Sequence, residues 1–200
     1  LTTAFPAGNP LARQMRVVAR LIGANAALGL KRQVFFVSLG GFDNHNDLIA
    51  DHQRLMTRLD GAMSAFYAAT VELGLANKVT TFTASDFGRT LSSNSDGSDH
   101  GWGSHHFVMG GAVNGGRFFG TAPHVSIQSD DQVGQGRLLP TSAVGRGELR
   151  AARPLRLGPG DAHVFGGGER LTVHVGVVGF LERAGIREEG GGSGAGVGKG

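Results

Sequence analysis

The chain has no cysteine, which closes off a disulfide framework, a thiolate zinc site and a cysteine nucleophile. It also lacks any run approaching the roughly 20 apolar residues of a bilayer-spanning helix, so no membrane span is expected. A basic cluster is missing too. The formal charge is +3, yet residues 1–142 carry 11 basic and 10 acidic side chains, and residues 143–200 carry 8 and 6. Nucleic-acid proteins gather basic residues on one face, often with aromatics between them. Neither feature is present, and no nucleic-acid partner is expected. The first residue is Leu1, with no charged-then-apolar leader behind it, as in a processed protein or a fragment.

What is present fits one globular domain. Two hundred residues, 40% hydrophobic and 18% charged, can bury a sizeable core without disorder or a second full domain. Glycine is abundant at 35 residues, with 18 in residues 1–142 and 17 in the shorter remainder. Of the aromatics only Phe165 and Phe180 fall in 143–200, which closes on a Gly-rich stretch from Gly190 to Gly200. That composition is flexible and solvated. The boundary near 142 reads as a change of chain type: a folded unit over 1–142, then a Gly/Arg-rich tail expected to be poorly ordered.

Asn9 can cap a helix with Pro10 at its first position, where the missing proline N–H costs nothing. Leu11, Met15, Val18 and Ile22 follow at helical spacing, and Gly29 suits a C-terminal stop. The apolar run from Val34 to Leu39, bounded by Gly40 and Gly41, predicts a strand buried on both faces. Leu48, His52, Leu55, Leu59, Ala62, Phe66 and Thr70 mark one face of a longer helix ending near Gly74, with Asp47 as a cap candidate. Val79–Thr83 predicts a second strand. Helix, strand, helix, strand, with a connection long enough for a parallel crossover, predicts an α/β sandwich.

In open α/β sheets, ligands bind outside the carboxyl ends of strands. The first strand runs into Phe42-Asp43-Asn44-His45 and the second into Ser85-Asp86-Phe87-Gly88-Arg89-Thr90. A third segment, Asp99-His100-Gly101-Trp102-Gly103-Ser104-His105-His106, holds three of the eight histidines within seven residues. Its glycines let the backbone curl so that several imidazoles face one point. Carboxylates and imidazoles without sulfur suit a catalytic Zn²⁺ or a Mn²⁺-like ion. Each residue also has a plainer use. Asp43 and Asp86 can cap helices or form turns, Asp99 can cap a turn, and His105 can be a hydrogen-bonded core residue. His52 reads as structural and His124 as a surface residue.

These segments, followed by Gly110-Gly111-Ala112-Val113-Asn114-Gly115-Gly116, resemble the bacterial exported proteins of domain-of-unknown-function family 1501, over about residues 1–142. That family is regarded as a distant relative of the alkaline phosphatase and sulfatase superfamily. The resemblance implies a three-layer α/β/α sandwich, here an incomplete one, with metals at the strand ends. It implies metal ligands at Asp43 with His45 (spaced Asp-x-His rather than Asp-x-x-x-His), at Asp86, and at His100 or one of His105 and His106. Phe87 stands where the histidine of an Asp-His pair is expected. Arg89 can clamp an anionic oxygen through two N–H groups or form a structural ion pair. The superfamily's nucleophile lies on an early loop that has no counterpart here, and neither Thr90 nor Ser104 has an adjacent base.

The same resemblance implies a twin-arginine export signal and a periplasmic or secreted setting in the parent protein. It further implies a metal-dependent hydrolase acting on phosphate or sulfate esters, small or carried on a glycan, with Zn or Mn as the cofactor. The competing expectation is a non-catalytic module that keeps the sandwich and binds carbohydrate or a protein partner. The family resemblance persists through Gly136–Ser142 and should continue into an aromatic helix with a Leu-Ala-Arg-Trp-like stretch. A change of reading phase converts codons for Ala152-Arg153-Pro154-Leu155 into that stretch. Residues from about 143 to 200 are accordingly expected to be an out-of-frame product, which would leave this chain of low stability and without robust catalysis; the alternative is a genuine Gly-rich extension.

Overall fold

The computed structural model describes residues 1–30 and 32–141, together with the backbone of 172–180. The chain is α/β. Helix α1 spans Pro10–Gly23 and begins where the sequence places it: the Asn9 side chain accepts from the N–H groups of Leu11 at 3.0 Å and Ala12 at 3.2 Å. The same side chain donates to the Arg58 carbonyl at 2.7 Å, so one residue caps α1 and ties it to the next helix. Leu11, Met15, Val18 and Ile22 are all buried. The helix ends at Gly23, before the expected stop. A Cβ there would sit 3.0 Å from the Leu73 side chain, so the two helices meet closely at this end. Gly29 instead closes the turn that follows, at φ +65°.

Helix α2 spans Leu48–Glu72 and buries Leu55, Leu59, Ala62, Met63, Phe66, Ala69 and Thr70. Asp47 occupies the capping position in a left-handed conformation but makes no side-chain cap bond. The Leu48 N–H bonds the Asp96 carbonyl at 3.0 Å instead. His52 is exposed, with its ring edge-on to Phe42.

Strand β1 spans Arg32–Gly40 and β2 spans Val79–Ser85, after a short 3₁₀ turn at Ala76–Lys78. Strands β3 (Gly88–Ser93) and β4 (Ser98–Gly101) form a separate antiparallel hairpin, and β5 (Val108–Met109) pairs with β2. Strand β6, Thr172–Phe180, lies between β1 and β2 and runs antiparallel to both, in the sheet order β1-β6-β2-β5. Strands β1 and β2 therefore run parallel to one another, as the crossover through α2 requires. Strand β6 was not expected from the sequence; the rest of 143–200 lies outside the described residues.

The prediction of a first strand buried on both faces is corrected. Val37 and Leu39 are buried and join the helices in one core, whereas Val34 is 56% and Phe36 43% exposed. Side chains alternate across a strand, and α1 covers the face carrying the odd-numbered residues. The even-numbered residues lie on the opposite face. The core runs from α1 and α2 to Val37, Leu39 and Val79, and fixes where both strands deliver the loops that follow them.

Candidate metal centre

Two separate pieces of chain build the site. The first is the loop between β1 and α2. Asn44 is buried, and its side chain donates to the Gly41 carbonyl at 3.0 Å, folding the loop back on itself. With Asn44 turned inward, its neighbours meet on the outer side: His45 Nε2 lies 3.0 Å from Asp43 Oδ1.

The second piece is the β3–β4 hairpin. Arg89 and His100 are cross-strand partners, and side chains of such a pair project from the same face. Both reach Asp43 Oδ1, Arg89 through Nη1 at 3.0 Å and His100 through Nε2 at 2.6 Å. The hairpin turn also packs flush on the loop: a Cβ at Gly97 would fall 2.1 Å from the His45 carbonyl oxygen. Glycine is required there by space alone.

Arg89 is the staple between the two pieces. Besides Asp43, its Nη2 donates to the carbonyls of Asn44 and Ser98, and its Nε donates to Ser98 Oγ at 3.1 Å. A guanidinium has five N–H donors, so these four bonds leave one N–H, on Nη1, for anything else. Phe87 stacks on His100 with ring centroids 4.6 Å apart and an interplanar angle of 32°, while the Arg89 Cζ lies 5.7 Å from the Phe87 centroid. The His100 carbonyl is held by Arg137 Nε at 3.2 Å.

The donors of Asp43, His45 and His100 lie within 4.8 Å of one another, and the three residues can hold a metal ion. The two Nε2 atoms are 3.3 Å apart. Ligands about 2.0–2.2 Å from a tetrahedral ion are separated by roughly 3.3–3.6 Å, so the two imidazoles already stand at that spacing. Asp43 Oδ1, 2.6 Å from His100 Nε2 and 3.0 Å from His45 Nε2, has to move outward to admit an ion. Three protein ligands leave a further coordination position open on such an ion. The side chains are 35%, 44% and 41% exposed, which leaves the centre open to solution. Burial pushes the Asp43 carboxyl up, but hydrogen bonds from His100 and Arg89 and the charges of His100 and His45 outweigh it and hold it below the usual range. Asp43 is therefore an anion at neutral pH.

The remaining candidates lie elsewhere. Asp86 is exposed just past β2 and is not among the three converging donors. His105 is exposed, with its ring edge-on to Phe107. His106 turns toward β2, its Nδ1 3.3 Å from Thr83 Oγ1, and burial together with the charge of His105 pushes its pKa down. Thr90 Oγ1 donates to the Ser92 carbonyl at 2.8 Å, and Ser104 Oγ faces the His105 carbonyl at 3.5 Å. His124 is exposed. Asn94, which the sequence reading does not single out, and Asp99, read there as a turn cap, sit behind His45: Nδ1 of that ring is 3.4 Å from Asn94 Nδ2 and 3.6 Å from Asp99 Oδ1. The available signal was the dipeptide Asp99-His100, which sets a second carboxylate beside a ligand.

Among the described residues, no helix is long and apolar enough to cross a membrane. The profile of a family described as "Protein of unknown function (DUF1501)" matches residues 3–142. No curated protein and no solved structure matches the chain.

Proposed function

The chain belongs to the DUF1501 family, and from that premise we propose that its Asp43–His45–His100 cluster is the metal centre of a hydrolase acting on phosphate or sulfate esters. The observation that carries this reading is the convergence of one carboxylate and two imidazoles on a solvent-facing point beyond the ends of β1 and β2. The proposal includes a three-layer sandwich of the alkaline phosphatase and sulfatase kind, and an exported parent protein. The donor set suits Zn or Mn. A divalent ion bound there would polarise an ester oxygen and lower the pKa of a bound water.

The residues' own parts follow from their contacts. Asp43 supplies the negative charge and is kept ionised, against the effect of burial, by the hydrogen bonds from His100 and Arg89. His45 and His100 supply neutral nitrogen donors, and Phe87 fixes the plane of the His100 ring. The remaining Arg89 N–H can take one oxygen of an anionic substrate, small or carried on a glycan.

The test is hydrolysis of aryl phosphate and aryl sulfate by the intact parent protein with Zn²⁺ or Mn²⁺ added. Metal-dependent turnover of either ester that disappears in Asp43→Asn and His100→Ala supports the reading. No turnover by the intact parent while it binds the ion overturns the hydrolase. That result selects a second reading, a non-catalytic module binding anionic carbohydrate or a protein. One observation favours this alternative: Thr90 and Ser104 address backbone carbonyls, and among the described residues neither hydroxyl is hydrogen-bonded to an imidazole or a carboxylate side chain.

A further inference from the structure

The three converging donors account for one nitrogen of His45 and leave its other nitrogen to be explained. Nε2 faces Asp43 and His100, whereas Nδ1 faces Asn94 at 3.4 Å and Asp99 Oδ1 at 3.6 Å. Asn94 Nδ2 also donates to Asp99 Oδ1 at 2.8 Å, and the Asp99 backbone N–H donates to Thr90 Oγ1 at 3.1 Å. The carboxylate is thus held in place from its side chain and from its backbone. A neutral imidazole carries one proton, so a nitrogen that gives its lone pair to a cation leaves the proton on the other. Histidines that bind metals donate that second N–H to a carboxylate, a carbonyl or water.

We propose that Asp99 is a positioning residue for the metal centre: it accepts the Nδ1 proton of His45 and so presents the Nε2 lone pair beside Asp43 and His100. This rests on the metal reading above and extends it to the residue that decides which nitrogen is available. Without an ion, Asp43 Oδ1 lies 3.0 Å from Nε2 and the Asn94 amide nitrogen, a donor, 3.4 Å from Nδ1, so the proposal places the proton on Nε2. On loading, Nε2 gives its proton to solvent and Nδ1 takes one from solvent. The ring keeps one proton throughout and no electrons change hands. Because Asp99 and His100 are consecutive, β4 supplies a ligand to one side of the centre and the orienting carboxylate of His45 to the other.

The experiment uses the full chain with Zn²⁺ alone as the probe. Long-range ¹⁵N–¹H NMR assigns the proton on the His45 ring, and competition with a chromophoric chelator gives the affinity. The expected result is a proton on Nε2 without zinc and on Nδ1 with it. Asp99→Ala should weaken zinc binding about 10–100-fold with helical circular dichroism unchanged, and Asp99→Asn, which keeps an acceptor oxygen, should recover most of the loss. Zinc ligated through Nδ1 overturns the proposal. So does an Asp99→Ala chain that binds zinc like the unmodified protein while His100→Ala does not, an outcome that leaves the metal centre standing. An unmodified chain that takes up no zinc overturns both. If Asp99→Ala fails to fold, the nitrogen assignment in the unmodified chain decides alone.

Discussion

Asp43 Oδ1 is hydrogen-bonded to His100 at 2.6 Å and Arg89 at 3.0 Å, with His45 Nε2 a further neighbour at 3.0 Å, so both of its lone pairs are already engaged. A cation between the imidazoles and the carboxylate relieves that crowding, and Arg89 stays as the bond that keeps the loop in place. Lysine cannot reproduce a planar fork that addresses Asp43, Asn44 and Ser98 together. Arg89→Lys is expected to cost about 2 kcal/mol in urea unfolding and to lower zinc affinity at least tenfold by chelator competition. Unchanged affinity would mean that the loop and the hairpin hold together without this residue.

His106 gives a second expectation at the same scale. Burial, then the charge of His105, depress its pKa below the ordinary 6.5, so between 6.5 and the depressed value the unfolded chain binds more proton than the folded one. The stability this contributes is complete above 6.5 and is lost as the pH falls through the depressed value. Urea midpoints measured from pH 8 to pH 5 should fall across that window, and His106→Gln should flatten the fall. A dependence identical in the variant would remove His106 as its source.

At the scale of elements, α1 was the most legible because its signals are local. Asn9, Pro10 and the spacing of Leu11, Met15, Val18 and Ile22 specify start and face without reference to the rest of the chain. Asn9→Ala is expected to cost about 1–2 kcal/mol, since the side chain caps α1 and also bonds the Arg58 carbonyl on α2. A loss confined to a few tenths, read from thermal or urea unfolding, would mean that water replaces both bonds. The β3–β4 hairpin was not legible. Its Asn94-Ser95-Asp96-Gly97 turn is preceded by Ser92 and Ser93 at the end of β3, with no alternation to read, and what anchors it is distant in sequence, at Asp43 and Asn44. Gly97→Ala should therefore act on the site: the new methyl meets the His45 carbonyl, and zinc affinity should fall with the helical signal preserved. Strand β6 escaped because the composition around it reads as a tail, although Val173, Val175, Val177 and Val178 carry high strand propensity.

Across the whole molecule, the core and the site are built from different residues. The buried cluster joins α1, α2, Val37, Leu39 and Val79, and none of its members comes from the hairpin. Periodicity exposed this core directly. It could not distinguish a strand apolar on both faces from one covered on both, which is why Val34 and Phe36 were expected inside. For the site, the sequence offered Asp43, His45, Asp86, His100, His105 and His106 together. Only loop and hairpin geometry separates the converging trio from Asp86, His105 and His106. Parallel strands β1 and β2 deliver those loops to one end of the sheet, where α/β proteins place their ligands.

Anomalous diffraction at the zinc edge, from crystals of the full chain grown with Zn²⁺, tests the convergence most directly. The expected map has one strong peak about 2.0–2.2 Å from Asp43, His45 Nε2 and His100 Nε2. A peak at any other residues, with this trio still bonded only to itself and to Arg89, would contradict the metal centre.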